Sequence, residues 1–235
     1  HLIFGIEYDL LRNLSFNLEV YYKTMSNMAN ANKDKLFADD KEHESRPEYL
    51  RKEYIIENGN AYGGDVSLKY DNGRLYVWAI YSLGKVTKEN EIFTYAPHYD
   101  RRHNVNILCN YQFGMDRSFE LSLRWNYGSG FPFTPTASMM EYVDWSDGMS
   151  TDWINQNGTL TTIYGDLNSK RLPDYHRFDI SAKKRFDIGK RSILEINLSV
   201  TNVYNRNNLF YVNRITSERV DQLPIMPSLG VSCTF

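Results

Sequence analysis

The sequence predicts an all-β protein: a transmembrane antiparallel β-barrel with short turns at one end of its strands and long loops at the other. Three observations predict it. Apolar and polar residues alternate with a period of two over long stretches, which gives each strand one oily and one wet face. The links between strands are by turns short and long. Tyr, Phe and Trp make up 14% of the 235 residues, enough to furnish aromatic girdles at two membrane interfaces. A mean hydropathy of −0.54 and the lack of any apolar run near the roughly 18 residues of a membrane helix do not oppose this, because alternating faces average out along a barrel strand. An all-β soluble domain would share the composition, so the pattern along the chain has to decide.

Leu14, Phe16, Leu18, Val20 and Tyr22 oppose Ser15, Asn17, Glu19, Tyr21 and Lys23. Val105, Ile107, Cys109, Tyr111 and Phe113 oppose Asn104, Asn106, Leu108, Asn110 and Gln112. Leu121, Leu123, Trp125 and Tyr127 oppose Glu120, Ser122, Arg124 and Asn126. Phe178, Ile180, Ala182 and Phe186 oppose Arg177, Asp179, Ser181, Lys183 and Arg185. Leu194, Ile196, Leu198 and Val200 oppose Glu195, Asn197, Ser199 and Thr201, and the chain ends with Leu229, Val231, Cys233 and Phe235 opposing Ser228, Gly230, Ser232 and Thr234. Lys184 interrupts an apolar face near a strand end, where a long side chain can snorkel to the interface. Residues 75–83 are apolar on both faces and cannot be oriented from sequence.

Short links are expected at 10–13, 71–73, 114–117 and 188–191, with Asn72-Gly73 the strongest hairpin signal. Long polar links are expected at 25–53, 88–100, 130–172 and 204–223. Barrels in the outer membrane of Gram-negative cells show that asymmetry, with tight periplasmic turns and long extracellular loops. The pattern holds about nine strands, ten or eleven if 208–222 form a hairpin in the last loop. Single-chain bacterial barrels use even numbers, and the chain opens at His1 inside an alternating stretch, so the expectation is a fragment that begins upstream.

A net charge of −2 offers no basic field for nucleic acid. Cys109 and Cys233 lie on apolar faces several strands apart and are expected to be free thiols. None of the five histidines (His1, His43, His98, His103, His176) stands in an i, i+4 pair or near a cysteine, so no zinc site and no other metal or cofactor is expected. No nucleophile-elbow, P-loop or dinucleotide motif occurs. Asn157-Gly-Thr159 matches a glycosylation acceptor by chance.

Three stretches carry a resemblance: Gly130 to Thr136 (Gly-Phe-Pro-Phe-Thr-Pro-Thr), Arg171 to Asp179 (Arg-Leu-Pro-Asp-Tyr-His-Arg-Phe-Asp) and Val200 to Arg206 (Val-Thr-Asn-Val-Tyr-Asn-Arg). In order and spacing they resemble the final strands of Bacteroidetes-type TonB-dependent outer-membrane receptors, over nearly the whole chain. Physically, Pro132 and Pro135 end pairing where a loop leaves the sheet, and Asn202 and Asn205 suit a bend at a strand end. Phe235, closing an alternating strand, resembles the signal read by the barrel-assembly machinery. The resemblance implies a barrel of about 22 strands around an N-terminal plug, with residues 1–235 forming its C-terminal part and the plug and first strands outside this chain. It implies active import of a scarce nutrient (siderophore, corrinoid, oligosaccharide or peptide), energised by the TonB-ExbB-ExbD complex. A surface lipoprotein partner is compatible with it.

Within that framework the loop at 130–172 is the candidate ligand surface. Tyr142, Trp145, Trp153 and Tyr164 offer stacking faces; Glu141, Asp144, Asp147 and Asp152 offer acceptors; a self-packed surface loop is the plainer alternative. Glu120, Arg124, Arg177, Asp179, Lys183, Arg185 and Glu195, with Glu7, Glu19, Lys23, Asp65 and Lys69, fall on polar faces, to contact the plug or to pair among themselves. The rival functions are a passive porin, a receptor-like barrel subunit of an outer-membrane assembly, and a barrel enzyme using His176 with Asp174 and Ser169.

Overall fold

The computed structural model describes residues 1–235 apart from 33–37, 42–43, 46–47, 49–50, 91, 143–158, 189–191, 214–215 and 217, with the backbone alone at Tyr142, Thr159 and Thr161. The long alternating segments form β1 (Leu2–Leu11), β2 (Leu14–Ala31), β3 (Tyr54–Asp71) and β4 (Leu75–Glu89), and further along β6 (His103–Phe113), β7 (Phe119–Gly128), β12 (Tyr175–Ile188), β13 (Ser192–Thr201) and β16 (Met226–Thr234). Between them lie the short strands β5 (Thr94–Tyr95), β8 (Pro132–Phe133), β9 (Thr136–Tyr142), β10 (Thr159–Tyr164), β11 (Lys170–Arg171), β14 (Leu209–Val212) and β15 (Arg219–Asp221). The nine long strands pair antiparallel in the order β1-β2-β3-β4-β6-β7-β12-β13-β16, with β5 as a tenth on β4. Each long strand thus lies beside its predecessor, a meander with no crossover. Among the described residues no helix is long and apolar enough to cross a membrane, which has no bearing on strands.

The register carries the faces across the sheet. Asp179 pairs with Arg124, Ile180 with Leu123 and Lys183 with Glu120; Leu198 pairs with Ala182 and with Leu229. Like therefore stands beside like, and one side of the sheet is polar, the other apolar. The apolar side is not a core. Ala61 is the single buried hydrophobic residue among those described, whereas Leu198, Leu229 and Val231 are 57%, 66% and 64% exposed. An aqueous domain of this size would bury its large aliphatic side chains, so this face is built for a non-aqueous surround. Cys109 and Cys233 sit on it as free thiols, opposite Val77 and Leu194.

Aromatic rings mark both ends of the apolar face. At the short-turn end Phe113 stacks on Phe119 at 5.1 Å and on Tyr111 at 6.1 Å. At the other end Trp125 stacks on Tyr127 at 6.1 Å. Lys184 places its Nζ 3.8 Å from the centre of the Phe119 ring and donates to Ser118 Oγ, which keeps the ammonium at the strand end among polar atoms and rings.

The strand at 75–83 is oriented by its neighbours. Leu75, Val77, Ala79, Tyr81 and Leu83 pair with Tyr111, Cys109, Ile107, Val105 and His103 on the apolar face, leaving Trp78 and Ile80 on the polar one. Asn72-Gly73 makes the expected hairpin: Gly73 has φ +80° and Asn72 Oδ1 accepts from the N–H of Arg74 and Leu75.

Several expected links are shorter than the sequence suggests. Met25–Ala31 belong to β2, not to a loop; a bulge between Met25 and Met28, with Asn27 at φ +54°, breaks the two-residue period there while the ladder with β3 continues to Tyr54. The link beginning at residue 88 contains β5 on Lys88 and Glu89. The link at 130–172 contains the β9–β10 hairpin and the β8–β11 pair, and the last one contains β14 and β15.

Candidate functional site

The long links leave the sheet at one end, and three buried polar clusters tie them together. In the first, Arg171 at the end of β11 donates to the carbonyls of Asp100 (2.9 Å) and Gly130 (3.0 Å) and to the Asp100 carboxylate. Asp100 is 1% exposed and also accepts from the Val86 N–H at 2.7 Å and Arg102 Nε at 3.2 Å. Burial alone would raise the Asp100 carboxyl; the Val86 N–H and the two guanidinium groups outweigh it and hold the group below the usual carboxylate range. Asn168 Nδ2, reaching the Ala96 carbonyl at 2.9 Å, makes a second bond between the same two links. Gly130 admits this crossing by its size. A Cβ there would stand 1.6 Å from the Leu172 carbonyl oxygen.

The second cluster surrounds Glu57, 1% exposed, which accepts from Tyr95 Oη (2.6 Å), Lys88 Nζ (3.1 Å) and Asn30 Nδ2 (3.2 Å) and so joins β2, β3, β4 and β5 at the long-link end of the main sheet.

The third gathers the stretch at 171–179 with that at 200–206. Asp174 accepts from Tyr127 Oη (2.8 Å) and the Gly130 N–H (2.9 Å), and these bonds hold its carboxyl low. Asn202, fully buried at φ +56°, accepts from the Arg206 N–H and donates to the Arg206 and Leu223 carbonyls, while its own N–H goes to Asp179 Oδ1. Asn208 clasps both backbone groups of His176. The His176 ring partners Tyr204 Oη at 2.7 Å. His176 and Asp174 thus turn to different partners, and Ser169 is hydrogen-bonded through its N–H to the Asp166 carbonyl; the three do not form a relay.

Below this rim, on the polar face, lies a hollow of about 600 Å³ lined by Trp78, Asn104, Asn106, Arg101, Arg124, Asn126 and Arg177 among others. Arg101 enters it from the link before β6. Its guanidinium lies 4.1 Å from the centre of the Phe131 ring and fills the space beside Gly128, where a Cβ would stand 2.4 Å from Nη1. Its Nε is buried with no hydrogen-bond partner. Burial pushes the guanidinium down from its ordinary value, although arginine stays charged at any working pH. Asn126 donates to Asn106 across β6 and β7.

The polar-face charges expected from the sequence are where the alternation put them. Lys183 meets Glu120 at 3.4 Å, Arg177 meets Asp179 at 3.0 Å, and Arg185 meets Asp187 at 3.1 Å while standing opposite Glu195 in register. Arg124 faces the hollow. Of the candidate loop residues, the two with described side chains stand apart on the β9–β10 hairpin. Glu141 pairs with Leu160 toward the tip of the β9–β10 hairpin, whereas Tyr164, 59% exposed, pairs with Thr136 at its base. Tyr142 closes β9, its side chain outside the described part, and Trp145, Trp153, Asp144, Asp147 and Asp152 lie outside the described residues. Sequence reasoning missed Asp100, Arg101 and Glu57; the run Asp100-Arg101-Arg102 just before a strand was the available signal. Among the described residues no group of three or more His, Cys, Asp or Glu could hold a metal ion.

No family model matches the sequence, and no curated protein matches it. Solved structures do. The ferripyoverdine receptor of the outer membrane of Pseudomonas aeruginosa aligns over 99% of this chain with a TM-score of 0.61 and 13% identity. The fold of the chain is that of part of this receptor's β-barrel. The ferric-catecholate import receptor Fiu of E. coli K12 aligns over 99% of the chain at TM-score 0.58 and 14% identity, and the FrpB iron transporter of Neisseria meningitidis over 99% at 0.55 and 16%. The chain spans 26%, 27% and 30% of the lengths of these receptors.

Proposed function

We propose that this chain is the C-terminal wall of a TonB-dependent receptor that actively imports a scarce nutrient across the outer membrane. Residues 1–235 supply lumen-facing strands and extracellular loops, and the plug and remaining strands belong to parts of the protein outside them. The observation that carries this reading is a sheet with one exposed apolar face and one charged face, whose long links are locked together at one end only. A passive pore needs a wall of the same kind, but the structures it matches in fold include a ferripyoverdine receptor and a ferric-catecholate import receptor. The sequence stretches at 130–136, 171–179 and 200–206 favour a receptor of the Bacteroidetes type. Energy would come from TonB-ExbB-ExbD through the plug, insertion through the barrel-assembly machinery acting on the strand that ends at Phe235, and a surface lipoprotein could cap the loops.

The test is uptake. Cells lacking the gene for the full-length protein are grown with siderophore, corrinoid, oligosaccharide or peptide as the limiting nutrient, beside cells lacking TonB. The reading expects one nutrient whose uptake is lost in both strains. Uptake that survives loss of TonB but not of the barrel makes it a passive pore.

A further inference from the structure

We infer that the hollow on the polar face is a subsite for an anionic, oxygen-rich solute group, a carboxylate in its simplest form, held by Arg101 and Arg124. The inference rests on the receptor reading and adds the chemical class of what the lumen side recognises.

Three rim guanidinium groups have an acid to meet, and a fourth, Arg206, donates to the Asp174 carbonyl. Arg171 and Arg102 share Asp100, and Arg177 takes Asp179. Arg101 has none: among the described residues it makes no ion pair and no side-chain hydrogen bond, and its Nε is buried without a partner. Its contacts are the faces of Phe131 at 4.1 Å and Tyr175 at 5.9 Å. A half-buried guanidinium without an acid carries a desolvation cost that arginine cannot relieve by losing its proton. An anion from outside the chain would offset that cost.

The surroundings supply the rest of a receptor for one. Arg124 is exposed on the same face, opposite Asp179 in register but without an ion pair among the described residues, since Asp179 is taken by Arg177. No carboxylate lines the hollow. Asn126 donates to Asn106, which leaves the Asn106 amide N–H groups as further donors. A guanidinium fork matches paired carboxylate oxygens in shape as well as charge. The volume, about 600 Å³, lies in the usual range for small-molecule sites. Trp78 stands in the wall with its indole N–H bonded to Ser67 Oγ at 2.9 Å, an aromatic surface for the uncharged part of the solute.

The experiment uses the purified full-length protein in detergent, with citrate as probe and sucrose as the neutral control, followed by titration calorimetry. Citrate is expected to bind saturably and more weakly as sodium chloride rises, and sucrose not at all. Arg101→Gln and Arg124→Gln are each expected to weaken citrate by about tenfold or more, while Arg124→Lys, which keeps the charge but not the fork, falls between wild type and Arg124→Gln. Retained heat-dependent migration on gels shows that each variant is folded; should Arg101→Gln fail that control, Arg124→Gln carries the test alone. No saturable citrate signal in the wild type, equal binding of sucrose, or undiminished binding in the folded glutamine variants overturns the subsite. Citrate binding needs no TonB, so the subsite stands or falls apart from the uptake test.

Discussion

Arg171 reaches the carboxylate of Asp100 across 71 residues of sequence and donates at once to the carbonyls of Asp100 and Gly130. One guanidinium thereby holds the link before β6 against the link after β7. Because Asp100 is 1% exposed, removing its charge leaves Arg171 and Arg102 facing a buried neutral amide. Breaking a buried pair from one side costs about 3–5 kcal/mol, and the partial exposure of Arg171 argues for the lower end. Asp100→Asn is therefore expected to lower the thermal unfolding midpoint of the folded protein and to open the 129–174 link to protease. Arg102→Gln, which removes the more exposed partner and leaves the Arg171 bonds standing, should do less. Equal protease resistance in wild type and Asp100→Asn would remove the lock.

The same carboxylates set an acid limit. Asp100 and Asp174 both have folded values held below those of the free side chain. A group depressed in this way contributes stability that is fully present above its unfolded value, about 3.9 for aspartate, and is lost as pH falls through the lower folded value. Loop protection should thus be flat from pH 7 to about 4 and decline only below that. Limited proteolysis with an acid-tolerant protease across this range checks it; a decline already complete at pH 5 would assign the transition to other groups.

Gly130 is where two strands' worth of loop cross. A Cβ placed there meets the Leu172 carbonyl at 1.6 Å, and backbone cannot yield as a side-chain tip can. Gly130→Ala must displace Leu172, whose N–H bonds the Phe131 carbonyl at 2.9 Å, and with it the β8–β11 pair. Overpacking of this kind costs about 1–3 kcal/mol or more. The expected outcome is a lower yield of folded barrel and loss of the protease resistance that Arg171 confers, with the Gly165→Ala change, whose nearest contact is a proline side-chain carbon at 3.2 Å, as the milder comparison.

How far the sequence could be read follows from which properties are local. Faces of strands are local: the alternation from Leu121 to Tyr127 or from Leu194 to Thr201 depends on the pleat alone, and the register then extends it across neighbours. The Asn72-Gly73 turn is local too. The outer half of β2 was not legible because the bulge at Asn27 shifts the period, so that Met25 to Ala31 present no consistent oily side. Residues 75–83 were not legible because Trp78 and Ile80, apolar by type, belong to the polar face, where the hollow gives an aromatic ring a place. The site was the least legible. Arg101 differs from its neighbours Asp100 and Arg102 only in what surrounds it, and that depends on Phe131, Gly128 and Tyr175, residues 27 or more positions away in the chain.

Leu198 and Asn197 are adjacent in β13 and point to opposite sides of the sheet, Leu198 beside Ala182 and Leu229, Asn197 beside Lys183 and Gly230. If the apolar side faces lipid, an arginine at Leu198 must be placed in hydrocarbon, at about 2–4 kcal/mol near the midplane. At Asn197 it would enter a wet, charged wall, with a change within about 0.5 kcal/mol, as for ordinary surface substitutions. Leu198→Arg is expected to lower the stability of the full-length protein refolded into lipid vesicles by that larger amount, and Asn197→Arg to leave it nearly unchanged. The contrast depends on lipid: for a sheet standing in water, with Leu198 57% exposed, Leu198→Arg would be nearly silent and would improve solubility. Denaturant titration of both variants in vesicles distinguishes the two, and a silent Leu198→Arg would show that the oily face meets something other than the bilayer.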